Sequence, residues 1–85
     1  MTPWRIRWTP RAQKDVRRLD PQVAERVRTA IRRFAETGHG DITRLEVEGD
    51  LRLRVGAWRV RFDYDYDGHA LIILRVLPRG QAYRP

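Results

Sequence analysis

Cysteine is absent from this chain of 85 residues, and lysine is almost absent, Lys14 being the only one. Without thiols there is no disulfide, no cysteine-ligated zinc and no thiolate chemistry. Long apolar runs are also missing, since nothing approaches the roughly 20 residues that carry a helix across a bilayer. The opening Met1-Thr2-Pro3-Trp4-Arg5-Ile6-Arg7-Trp8 alternates like a strand and lacks the continuous apolar stretch of a signal peptide. These features predict a cytoplasmic protein with no membrane partner. Linkers, internal repeats and low-complexity segments are missing as well, so residues 1–85 read as a single domain with a modest core. His39 and His69 fall at turn positions without the carboxylate spacing that metal or acid–base work needs. Asp63-Tyr64-Asp65-Tyr66-Asp67-Gly68 copies the first half of a calcium loop, but Leu74 stands at the twelfth position, where a bidentate carboxylate is required. No metal and no cofactor is expected.

What the chain has in excess is positive charge. The formal net charge is +7 and the sequence pI about 11.2, which favours a polyanionic partner, nucleic acid first. Almost all of the charge is arginine, whose planar fork grips a phosphate at two oxygens where lysine offers a point charge. A general bias towards arginine accounts equally well for those on helix surfaces. It does not account for Leu51-Arg52-Leu53-Arg54-Val55-Gly56-Ala57-Trp58-Arg59-Val60-Arg61-Phe62.

That stretch alternates apolar and basic residues along two arms. A two-residue loop on Gly56-Ala57 pairs Val55 with Trp58, Arg54 with Arg59, Leu53 with Val60 and Arg52 with Arg61. Glycine at the first loop position suits a type II′ turn. Side chains alternate faces along a strand, so one face of the hairpin is apolar and the other carries four arginines. Like charges directly across a ladder are destabilising, and an anion bound to that face removes the penalty. The hairpin therefore reads as a phosphate-binding surface.

The remaining elements follow from periodicity and punctuation. Trp4, Ile6 and Trp8 share one face of an opening strand. Thr9-Pro10 and Asp20-Pro21 each supply a cap followed by a proline in the first turn, which starts two helices. The second carries Val23, Val27, Ala30, Ile31 and Phe34 on one face, a stripe for packing on a sheet. Gly38-His39-Gly40-Asp41 breaks it, Thr43 to Val47 suits a short strand, and Ala70 to Leu77 is apolar enough for a central strand. A two-residue Asp67-Gly68 loop would set Arg75 opposite Val60 on the apolar face. A three-residue loop, Asp67 to His69, sets Arg75 opposite Arg61 and turns Ile72, Leu74 and Val76 into the core. Burial of an unpaired arginine is costly, so the three-residue loop is expected. The core face is then Trp58, Val60, Phe62, Leu74 and Val76, and the basic face gathers Arg52, Arg54, Arg59, Arg61, Arg75 and Arg79. Tyr83 lies four residues beyond. Arginine on phosphate with an aromatic ring on the base is a recurring scheme for single strands.

The order strand, helix, helix, strands, with Arg52-Leu53-Arg54-Val55-Gly56-Ala57-Trp58-Arg59 late and Arg79-Gly80-Gln81-Ala82-Tyr83-Arg84 at the end, resembles the RelE/ParE toxin superfamily of bacterial toxin–antitoxin modules. The resemblance covers nearly the whole chain. It implies an α+β fold, two N-terminal helices packed on one face of a twisted, mainly antiparallel sheet, with the other face an active groove. It implies a type II toxin, neutralised by a cognate acidic antitoxin (RelB-, ParD- or Phd-like) in a hetero-oligomer. RelE-like members cut mRNA on the ribosome without metal, the ribose 2′-hydroxyl attacking the adjacent phosphate to leave a 2′,3′-cyclic phosphate. On that likeness Arg52 and Arg54 match the paired basic residues of the first arm, and Arg59 the phosphate-holding arginine. Arg79 matches the arginine that stabilises the transition state, and Tyr83 the tyrosine at the scissile site. Arg61 and Arg75 are further phosphate contacts by position alone. Two departures stand out: Pro78 occupies a position that is His in many relatives, and both first-arm basic residues are arginine where lysine is frequent. ParE-like members share the fold and inhibit DNA gyrase, which is the alternative reading, followed by a non-catalytic nucleic-acid or antitoxin-binding module.

Overall fold

Both cap-plus-proline signals form the helices they announce. In a computed structural model, which describes residues 3–44 and 51–82, β1 (Arg5–Trp8) leads into α1 (Pro10–Arg17), α2 (Pro21–Thr37) and β2 (Asp41–Arg44). Then come β3 (Leu51–Val55), β4 (Trp58–Asp65), β5 (Ala70–Pro78) and the short α3 (Arg79–Ala82). Thr9 Oγ1 accepts from the Ala12 N–H at 3.1 Å and Asp20 Oδ1 from Gln22 at 2.9 Å, each satisfying a donor that the first helical turn leaves unpaired. Gly38 closes α2 in the left-handed region at φ 77, where a side chain would be strained. The strand expected from Thr43 to Val47 begins earlier, at Asp41, and is described as far as Arg44; residues 45–50 lie outside the described residues.

The five strands are ordered β1-β5-β4-β3-β2, with β1 parallel to β5 and every other pair antiparallel. α1 and α2 cover one face. Ala12 and Val16 of α1 and Val27, Ile31 and Phe34 of α2 form one buried cluster with Leu51, Leu53, Val60, Phe62, Leu71, Ile73 and Val76 of the sheet. The Phe34 and Phe62 rings meet edge to face at 5.4 Å, which ties α2 to β4.

The β4–β5 register departs from expectation and then returns to it. Asp65 pairs with Ala70 and Phe62 with Ile73, the register of a two-residue Asp67-Gly68 loop rather than the three-residue one. A β-bulge follows, and beyond it Arg61 pairs with Arg75 and Val60 with Val76, as the three-residue loop required. Leu74 is the extra residue. Leu71 and Ile73, not Ile72 and Leu74, therefore fill the core beside Val76, and Trp58 is only half-buried. The bulge reconciles two demands that no single register meets. The apolar run after the turn is buried, and Arg75 still stays off the apolar face.

Candidate functional site

The arginine hairpin pairs as the alternation requires: Arg52 with Arg61, Arg54 with Arg59, Leu53 with Val60 and Val55 with Trp58. Gly56 takes φ 57, while among the described residues the one non-glycine at positive φ is His69, so Ala57 keeps the negative φ of a type II′ turn. Across β3, β4 and β5 the register lines up Arg52, Arg61 and Arg75, with Arg54, Arg59 and Leu77 on the next row of the same face.

The face is less open than a solvated basic patch. Arg52 is 2% exposed and Arg59 6%. Arg59 Nη1 donates to the carbonyls of Gly56 and Trp58, both at 2.9 Å, so its guanidinium closes on its own turn. These bonds replace the water a buried guanidinium loses and fix the plane of its fork. α3, which the sequence did not announce, packs on β4 and β5 at this end. The backbone N–H of Arg79 donates to the Ala57 carbonyl at 3.0 Å, so α3 starts at the hairpin tip with the Arg79 side chain exposed. Arg54 is also exposed, its guanidinium a loose 3.7 Å from Asp41. Arg61 is half-buried. Tyr83 lies outside the described residues.

Arg75 has a different employment. Its Nε and Nη2 donate to the two carboxylate oxygens of Asp15 at 2.8 and 3.2 Å, and Asp15 Oδ2 also accepts the Val76 N–H at 2.9 Å. Burial pushes the Asp15 carboxyl up. The Arg75 hydrogen bond, the Val76 N–H and the charges of Arg75 and Arg11 outweigh that and hold it below its ordinary 3.8. The same hydrogen bond raises Arg75 against the lowering effect of burial. Asp15 was not singled out in the sequence, though the signal was there. It is the one acid of α1, set among Arg11, Lys14 and Arg17, three residues after buried Ala12 and four before Leu19, which places it on the inward flank.

The opposite end of the sheet compensates itself. Asp65 pairs with Arg7 at 2.9 Å and accepts the Gly68 N–H at 3.1 Å, and Asp63 accepts the Tyr64 N–H at 2.8 Å. Asp65 caps the turn into β5, while Asp63 lies within β4. Burial, with Tyr66 adding to it, pushes the Tyr64 phenol up despite the opposing charge of Arg44. A cavity of about 730 Å³ opens between α2 and the β2–β3 edge over Ala30 and Leu53. Arg26, Arg33 and Arg54 stand around it. Among the described residues no helix is long and apolar enough to cross a membrane.

Solved structures from toxin–antitoxin systems share this architecture. The structure is similar to the RelBE2 toxin–antitoxin complex of Mycobacterium tuberculosis, with 27% identity over 95% of this chain and 97% of that one and a TM-score of 0.68. It is similar also to the archaeal RelE–RelB complex of Pyrococcus horikoshii OT3, at 22% identity, 94% and 99% coverage and a TM-score of 0.76. The free E. coli toxin RelE, seen as a double mutant, matches at 18% identity, 96% and 88% coverage and a TM-score of 0.75. A comparison with curated proteins finds no match. Residues 6–83 match the family described as the ParE toxin of the type II toxin–antitoxin system parDE. The chain belongs to the ParE toxin family, within the RelE/ParE superfamily.

Proposed function

We propose that this type II toxin is a metal-independent endoribonuclease that cuts mRNA on the ribosome in the cytoplasm, arrests translation and is neutralised by a cognate acidic antitoxin. The observation that carries the reading is the exposed Arg79 fastened to the tip of the arginine hairpin through the 3.0 Å bond to Ala57. In the reaction the ribose 2′-oxygen forms a bond to the adjacent phosphorus and the bond to the 5′-oxygen breaks. The products are a 2′,3′-cyclic phosphate and a 5′-hydroxyl. The 2′-hydroxyl proton passes to solvent, and the departing oxygen takes one from solvent. Negative charge gathers on the phosphoryl oxygens at the transition state, and fixed guanidinium groups stabilise it without a metal. Arg59, its fork held by two carbonyls, and the freer Arg79 are the catalytic residues in this reading. Arg54 and Arg61 meet flanking phosphates, Arg52 backs them from beneath, and Tyr83 stacks on a base. Guanidinium and phenol groups hold their protons at neutral pH and are poor proton carriers there, so rate enhancement rests on charge stabilisation and positioning.

The second reading, gyrase inhibition without chemistry, is favoured by specific observations. Arg52 and Arg59 are buried, Arg75 is engaged by Asp15, Pro78 replaces a frequent histidine, and the matching family is named for ParE. The similar complexes each pair a RelE toxin with RelB, which supports an antitoxin partner here. Controlled expression decides between the readings. Mapped mRNA ends with continuing DNA synthesis support the nuclease, whereas DNA damage signalling with intact mRNA overturns it in favour of gyrase inhibition. The antitoxin is expected from a short acidic open reading frame beside this one.

A further inference from the structure

β1 pairs with β5 only from Ala70 to Ile73, so among the described residues the far edge of β5 has no strand neighbour just where the bulge falls. α1 takes over that edge. The Thr9 N–H donates to the Ile73 carbonyl at 3.1 Å and Thr9 Oγ1 to the Leu74 carbonyl at 3.1 Å. Asp15 then accepts both Val76 N–H and the fork of Arg75. Three groups of α1 and its cap thus hold the bulged stretch from Ile73 to Val76, and three residues after Val76 the chain enters α3.

We propose that Asp15 is a positioning residue for the phosphate site: by clamping Arg75 and the Val76 N–H it locks the bulge at Leu74, and the locked register sets Arg79 against Ala57. Without the bulge Arg75 falls opposite Val60 on the apolar face, and every later residue of β5 exchanges faces. Leu77 would turn towards the helices and Arg79 would be carried one residue out of step with Ala57. A bulge is a weak point in a ladder, because its extra residue goes unpaired, and bulges commonly re-aim a side chain beside a site. A carboxylate 11% exposed, with both oxygens engaged by a guanidinium and one also by a backbone donor, stiffens that point. The clamp also withholds Arg75 from ligands. As an effect on turnover, this inference rests on the nuclease reading; as an effect on register, it does not.

The test uses the full-length chain with Asp15→Asn, which keeps an acceptor for Val76 and removes the charge that grips Arg75. Amide hydrogen exchange at Arg79 is expected to quicken roughly tenfold or more while Phe62 and Ile31 keep their protection. Cleavage at saturating ribosome-bound mRNA is expected to fall roughly tenfold, since small misplacements of a reacting constellation carry such penalties. RNA affinity is expected to hold or rise, because a released Arg75 adds a phosphate contact. A purely structural role would lower stability and leave turnover per folded molecule and Arg79 exchange unchanged, and that result overturns the proposal. If Asp15→Asn does not fold, Arg75→Met, which keeps the Asp15 to Val76 bond, is read by Arg79 exchange and turnover alone. A wild-type protein that cuts no RNA sinks the nuclease reading alone, since Arg79 exchange still decides the clamp.

Discussion

The Arg79 N–H and the Ala57 carbonyl, 3.0 Å apart, join the start of α3 to the tip of the arginine hairpin. The bond uses backbone only, so it survives replacement of either side chain. Arg79→Ala therefore leaves the fold in place and removes the exposed guanidinium. Loss of one transition-state donor typically lowers rate by about 10²–10³. Growth arrest on induction, with circular dichroism as the folding control, checks this. A well-folded Arg79→Ala protein with undiminished toxicity removes the nuclease reading.

Phe62 is 2% exposed and stacks edge-on against Phe34 at 5.4 Å and Tyr64 at 5.7 Å. Truncation to alanine removes both ring contacts and opens a cavity at the centre of the sheet. The expected loss is roughly 3–5 kcal/mol, a large share of a small domain's stability. Urea unfolding of Phe62→Ala measures it. A loss under about 1 kcal/mol would mean that the core collapses around the gap far better than close packing allows.

Much of this was legible because short-range rules dominate where they apply. Thr9-Pro10, Asp20-Pro21 and Gly56-Ala57 each fix a local backbone state, and the alternation from Leu51 to Phe62 fixes which side chains share a face. The α+β arrangement of two helices against a five-stranded sheet follows. What escaped was set by distant partners. The bulge at Leu74 arises because core packing of Leu71 and Ile73 and exclusion of Arg75 need different registers. The burial of Arg52 and Arg59 likewise depends on what covers their face, which alternation cannot state. Alternation separates the faces of a strand and is silent on whether water reaches either one.

Gly56 and Gly80 should respond oppositely to alanine. At Gly56, φ 57 is strained for any side chain although only Arg26 Nη1, 3.9 Å away, would be near the new atom. Alanine there is expected to cost about 1–2 kcal/mol. At Gly80 an added Cβ meets nothing within 4 Å, and alanine in α3 is expected to gain a few tenths to about 1 kcal/mol. Paired denaturation curves check both signs.

Asp15 gives a sign for acid stability. Its folded carboxyl titrates below the ordinary 3.8, so folding is favoured by its ionised form. The contribution is fully present above the unfolded value near 3.8 and is lost as pH falls through the lower folded value. The stability gap between wild type and Asp15→Asn should be constant from about pH 5 upward and shrink below pH 4. A gap that widens on acidification would mean that Arg75 does not stabilise the carboxylate.

The two anionic partners should be separable by salt. RNA held through phosphates releases counterions on binding, so its affinity falls steeply as salt rises. An acidic antitoxin is drawn by the same +7 charge, but a lasting complex needs apolar docking of an amphipathic helix or extended segment. Exposed charge chiefly governs encounter. Raising salt from about 50 to 200 mM should therefore slow antitoxin association markedly while leaving dissociation nearly unchanged, and over the same range weaken RNA binding by about 300-fold if six phosphates of a single strand are held. Stopped-flow association and competition dissociation measure the first, fluorescence titration the second. If antitoxin dissociation quickens with salt as steeply as RNA affinity falls, the arginines alone hold the antitoxin and apolar docking plays no part.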